Sequence, residues 1–259
     1  MKKLLICLIF IALAAPKLSA YAGDLDSLKQ KLQLTSDSLK GPIYTQIAAQ
    51  YINYDTVANR NLRHYYQNEA LNYTMLALHV YSVYNDTLGL RTSYNSLSKI
   101  YRSQHKYIQA KWFILQSNTI SRQRNDAPNI IASLIELSAI KSDMKDYTLA
   151  MGDLNEALTI AVKNKDPKNE SAVQVGYAAL YRRMENYEKA AIAIKRHEFL
   201  DDSIHQAEID KLAMVAKQDS IQIKKQDSVI AKKKVYTSNL KTNFRRGRML
   251  ASARHITFL

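Results

Sequence analysis

The chain has 259 residues, and its six glycines and four prolines are too few turn formers for a β-rich or Rossmann-type fold, so an all-α protein is expected. Cys7 is the single cysteine and lies in the leader described below, which excludes a disulfide framework, a thiolate zinc site and a cysteine nucleophile from the mature chain. The net charge of +14 sits mostly at the ends: residues 23–231 carry 26 basic and 23 acidic side chains, whereas 232–259 carry eight Lys or Arg and no acid, a pattern that argues against a nucleic-acid partner.

Met1-Lys2-Lys3 precedes an apolar run from Leu4 to Ala15, and Ala20-Tyr21-Ala22 places small residues before Gly23. This is the layout of a secretory signal over residues 1–22, so the chain is expected to be exported to the periplasm, or held at the inner membrane if the signal stays uncleaved. Cys7 has almost no apolar segment before it, and lipidation there is not expected. Residues 23–40 follow, with Leu25, Leu28 and Leu32 at helical spacing predicting a helix that covers what comes next. Thr35 to Ser38 reads as a turn, and Gly41-Pro42 opens the first long helix, with Pro at a tolerated early position.

From there a pattern repeats. Lys106-Tyr107-Ile108-Gln109-Ala110, Asp146-Tyr147-Thr148-Leu149-Ala150 and Asn186-Tyr187-Glu188-Lys189-Ala190 recur in steps of 40 residues. A large and a small residue precede each at fixed offsets, usually with a tyrosine three positions after the small one: Leu97, Ser98 and Tyr101; Leu137, Ser138 and Lys141; Tyr177, Ala178 and Tyr181. Turn-prone Asn85-Asp86, Asn125-Asp126 and Lys165-Asp166-Pro167 keep the same step of 40. Ile47-Ala48 with Tyr51, followed by Ala70, supplies an irregular first copy with a polar insertion from Asp55 to Arg63.

These residues resemble the tetratricopeptide repeat (TPR), a helix-turn-helix unit with large, small and Tyr residues on its first helix and Ala early on its second. The resemblance covers residues 41–200 and implies an all-α, right-handed TPR-type helical solenoid of antiparallel helix pairs, period 40, with a long C-terminal helix. Small residues let two helices approach to about 8–10 Å, and Ser98/Ala110, Ser138/Ala150 and Ala178/Ala190 are the pairs placed at the crossings. Tyr107, Tyr147 and Tyr187 are expected to close the turns between the helices of a unit. The usual period is about 34 residues; the surplus falls between the motif of one unit's second helix and that of the next unit's first, and is read as longer helices joined by an Asp/Pro turn.

Residues 201–236 contain no Gly or Pro and read as an extended helix. Ile209, Ala216, Ile223 and Ile230 recur every seven residues, but Asp219 and Gln226 interrupt the second seam, so a capping helix and a homodimer through this segment both stay open. Residues 237–259 form the basic tail. Leader, repeats and charged helix together resemble the periplasmic TPR sensor regions of bacterial membrane histidine kinases and repeat-linked regulators. Residues 236–259 lack an apolar run of about 20, and no kinase motif is present, so the expectation is a truncated or frame-shifted relative of such a sensor.

The six histidines, at 64, 79, 105, 197, 205 and 255, form no metal-ligand motif, no Gly-rich phosphate loop occurs and no serine lies in a G-x-S-x-G context, so no enzyme activity, cofactor or metal is expected. What the resemblance implies is a concave face lined by the first helices of the units. Its register places Thr92, Asn95, Lys99 and Arg102 there, then Ala132, Ile135, Ala139 and Ser142, then Val175, Ala179, Arg182 and Arg183. The cations among them suit an extended, partly acidic peptide or a partner's helix, unless neighbouring acids neutralise them. The pattern lacks the Lys/Asn set of repeats that clamp a C-terminal carboxylate. The reading is an exported sensory or scaffold module, the alternative a membrane-surface or envelope-assembly protein attached through its basic tail.

Overall fold

A computed structural model describes residues 24–54 and 57–256, with the side chains of residue 240 and of 246–256 left out, so the leader expected over residues 1–22 lies outside the described residues. Helix α1 spans 24–34. After a 3-10 turn at Asp37–Leu39 come α2 (Lys40–Asn53), α3 (Arg60–Val83), α4 (Thr87–Ser103), α5 (Tyr107–Gln123), α6 (Ala127–Asp143), α7 (Tyr147–Lys163), α8 (Pro167–Arg183) and α9 (Tyr187–Ile256), with no strand among the described residues. Two compact units result, Met1–Asp201 and Asp202–Leu259.

The first unit is built on a step of 20 residues. Asn85, His105, Asn125, Lys145, Lys165 and Glu185 all have φ between 52° and 67°, the left-handed conformation that ends a helix. At each, the next residue's N–H reaches back five positions, as from Asp86 to the Tyr81 carbonyl and from Lys106 to that of Tyr101, both at 2.8 Å. Asp86, Asp126 and Asp166 then cap the following helices by accepting first-turn N–H groups, and Pro128 and Pro167 stand where no N–H is needed. Helices α4 to α8 therefore have 17 residues each. The turns within and between units are equally short, and the surplus over the usual repeat lies in longer helices joined by Asp-capped turns.

Packing follows the small residues. Ser98 and Ala110 are fully buried, and the Ser98 hydroxyl donates to the Ala110 carbonyl at 2.9 Å. Ser138/Ala150 and Ala178/Ala190 are equally buried, as the sequence implies. Tyr107 and Tyr147 are half-buried, Tyr107 against the cluster of Ala110, Ile114, Leu137 and Ile140, which spans two units, and Tyr147 against the larger cluster around Leu154. Tyr187 departs from expectation: at 69% exposure it closes nothing. No further unit stands after it to supply the wall that its equivalents pack against.

The first repeat absorbs its insertion by lengthening α3 to 24 residues. Leu25, Leu28 and Leu32 of α1 pack on its cluster of Ile43, Ile47 and Tyr51. Tyr81 from α3 fills the space beside Gly41 and Gly89, where a Cβ at residue 89 would come within 2.1 Å of its ring.

In the second unit, the described side chains from Asp202 to Arg245 are exposed or, at Ile204, partly so. Ile209, Ile223 and Ile230 stand 46–59% exposed. The helix continues through residue 236 without interruption, so no break separates the extended segment from the basic tail up to Ile256. Among the described residues no helix is long and apolar enough to cross a membrane.

Candidate functional site

The last turns of α4, α6 and α8 line up because each first helix follows its predecessor by 40 residues. They form an open groove of about 380 Å³ lined by Lys99, Arg102, Ser103, His105, Tyr107, Glu136, Asp143 and Arg183. Three of the predicted residues, Lys99, Arg102 and Arg183, meet here; Asn95 and Arg182 are not part of the lining.

The groove's charge is mostly consumed internally. Arg102 donates through Nε to Asp143 at 2.6 Å and through Nη1 to Glu136 at 3.4 Å. Arg183, one repeat beyond Asp143, donates to the other oxygen of the same carboxylate. Burial works against the Arg102 charge, but the bond to Asp143 and the charge of Glu136 outweigh it and hold its pKa above the ordinary arginine value. Arg102 and Arg183 are thus ties between three first helices and not free cations. The sequence signal for this was opposite charges about one period apart: Arg91 pairs with Asp126 at 2.5 Å and Arg122 with Glu156 at 2.6 Å in the same way.

Lys99 and Arg182 are exposed and make no ion pair among the described residues. Asn95 is half-buried, with an amide oxygen that finds no partner among the described residues. Thr92, Ala132, Val175 and Ala179 are exposed, Ile135 and Ala139 half-buried; Ser142 is buried, which removes it from any contact face.

A second cationic groove escaped the sequence reading. Arg60, Arg63 and His64 from the start of α3 and His105 and Lys106 from the α4–α5 turn line about 470 Å³, with Gln67, Asn68, Ser103 and Gln104 between them and no acid in the lining. Its residues lie far apart in sequence, and the irregular first repeat hides their register. It adjoins the first groove, with Ser103 and His105 lining both. Arg63 is spent on the Val57 carbonyl, at 2.9 and 3.1 Å. Arg60, His64 and Lys106 are exposed and unpaired by acids among the described residues.

One cluster has the residue types of a hydrolytic triad without its geometry. The Ser171 hydroxyl lies 2.7 Å from His197 Nδ1 and 3.4 Å from Asp201 Oδ1, so the carboxylate meets the serine and not the imidazole. Ser171 is itself buried, and the trio fastens α8 to the first turns of α9.

No protein-family profile matches the sequence, and no curated protein does. Among solved structures, BtubC (BKLC) from P. vanneervenii is similar over 72% of this chain and 72% of that one, at 17% identity and a TM-score of 0.52. A Podosopora anserina kinesin light chain candidate with nearly identical TPR-like repeats aligns over 72% of this chain and 97% of that one, at 14% identity and a TM-score of 0.45. At 17% identity the likeness to BtubC is one of fold, and with helix pairs stepping by 40 residues the chain is an all-α helical repeat of TPR type.

Proposed function

We propose that the chain is an exported protein-interaction module, a sensory or scaffold protein that binds an extended, partly acidic peptide or a partner's helix along the ends of its first helices. The observation that carries this reading is the pair of adjoining grooves, in which Lys99, Arg60, His64 and Lys106 stand exposed without acidic partners among the described residues. The unpaired charges of Lys99, Arg60 and Lys106 favour acidic segments through charge complementarity, and the inter-repeat ion pairs hold the first helices that carry the groove in register. Affinity capture from the native envelope with the full chain, beside a Lys99→Glu/Lys106→Glu variant, tests it. Loss of the captured partner in the variant is expected, and unchanged capture removes the reading.

A second reading has its own observation. Lys232, Lys233, Lys234, Lys241 and Arg245 are exposed on one helix together with Tyr236 and Phe244, a composition suited to an anionic membrane surface at about 1 kcal/mol per basic residue. Sedimentation with anionic liposomes, with and without residues 232–259, decides it: binding retained without the tail rejects the tail's role.

A further inference from the structure

One pair of positions locks the first helix to the second in three of the repeats. In the first repeat Tyr51 stacks on Tyr73, with centroids 5.9 Å apart and planes 15° apart. In the second Tyr101 stacks on Phe113 at 5.4 Å and 2°. In the third the same places hold Lys141 and Asp153, an ion pair at 2.7 Å. Forty residues further the places are taken by Tyr181 and Ala193. A methyl group cannot span what a ring or a salt bridge spans, and an open cavity of about 260 Å³ lies there, lined among others by Leu158, Tyr177, Tyr181, Lys189, Ile192 and Ala193.

The walls are held in place. Tyr177 stacks on Tyr181 at 6.1 Å and 17°, and its hydroxyl donates to Asn155 Oδ1 at 2.6 Å, so it is tied down beside the gap. Lys189 Nζ lies 5.8 Å from the Tyr181 centroid, and Ile192 stands 62% exposed at the rim.

We propose that this vacant lock is an anchor slot for an aromatic side chain presented by a protein partner. The first two repeats show what the position accepts, a phenyl or phenol ring stacked on the tyrosine of the first helix. The volume suffices, since an apolar cavity of about 150 Å³ already takes up benzene. A ring gains the offset stack on Tyr181 and the nearby Lys189 ammonium, which an aliphatic side chain of equal size does not. The interaction-module reading supplies only the source of the ring. The slot shares no lining residue with either cationic groove, so each can fail alone.

The test follows the Ile192 and Ala193 methyl resonances of the full chain during titration with N-acetyl-Gly-Phe-Gly-amide and with its Leu counterpart. The Phe peptide is expected to saturate with a Kd on the order of millimolar, as befits one side chain, and at least about fivefold more tightly than the Leu peptide. Ala193→Phe, which supplies the ring internally, removes the response. Because Ala193 is only 4% exposed, that variant can misfold, and Tyr181→Leu gives the second reading, with Phe preference lost. Lys99→Glu/Lys106→Glu leaves the titration unchanged. Equal affinity for the two peptides, no saturation, or an undiminished Phe preference in Tyr181→Leu overturns the proposal.

Discussion

At the scale of single residues, the most informative positions are the six left-handed ones. Asparagine tolerates that conformation, but His105, Lys145, Lys165 and Glu185 adopt it with full side chains at φ of 52–67°, at a cost of roughly 1–2 kcal/mol each relative to glycine. Lys145→Gly is therefore expected to stabilise the array by about 0.5–1 kcal/mol, net of the entropy glycine loses on folding, read as a rise in thermal midpoint with unchanged far-ultraviolet circular dichroism. The repeated Tyr-x-x-Ala motif behaves less uniformly. Ala190 is 2% exposed at the last helix crossing, and Ala190→Leu should destabilise by about 1–3 kcal/mol through overpacking. Tyr147→Ala removes a ring packed on the central cluster, whereas Tyr187→Ala should change stability by less than about 0.5 kcal/mol. The same three letters have different surroundings because the array ends, which a motif cannot express.

At the scale of helix pairs, the lock positions turn one interface into a comparison among repeats. Lys141 and Asp153 are each mostly covered, and Lys141 Nζ straddles the carboxylate at 2.8 and 2.7 Å. Burial pushes the Asp153 carboxyl above its ordinary 3.8, with Lys141 opposing only in part. A carboxyl that titrates higher folded than unfolded contributes stability that is present below 3.8 and lost as pH rises through the folded value, so ionised Asp153 is a liability at neutral pH. Replacing the pair by the stacked residues of the second repeat, Lys141→Tyr with Asp153→Phe, should stabilise by about 1–3 kcal/mol at pH 7 and flatten the pH dependence just above 3.8. Lys141→Tyr alone strands the carboxylate and should cost about 2–4 kcal/mol. Chemical denaturation of the single and double variants across pH separates these outcomes. The sequence shows Tyr101, Lys141 and Tyr181 in one register, but periodicity does not say which second-helix residue each one meets. That is why the crossing alanines were legible from spacing while the lock partners, and with them the vacant slot, were not.

At the scale of the molecule, the repeats form a chain of neighbour contacts, in which stability is a sum of unit and interface terms. The period of 40 was readable because two kinds of marker, Tyr-x-x-Ala and Asn/Lys-Asp, keep it independently. The inter-repeat charges were not, since a pair such as Arg102 and Asp143 is indistinguishable from solvated residues until the register is known in space. Both facts can be put to one test. Deleting residues 115–154 removes one period and joins the first half of α5 to the second half of α7, keeping Ala110, Ile114, Ala157 and Ala161 on one buried face. Deleting 34 residues from the same start, 115–148, leaves six more residues in the hybrid helix and turns its second half by about 120° against its neighbours, at 3.6 residues per turn. The first chain is expected to unfold cooperatively, the second not. The first also loses Glu136 and Asp143, which leaves Arg102 and Arg183 as like charges without their shared carboxylate. Arg183→Asp in that shortened chain puts an acid at the position equivalent to Asp143, and it should recover about 1–3 kcal/mol of the lost stability. The same change in the full chain, where Asp143 is already present, should destabilise. Thermal melts of the four chains measure both signs, and a gain in the full chain or none in the shortened one rejects the register on which the inter-repeat ties depend.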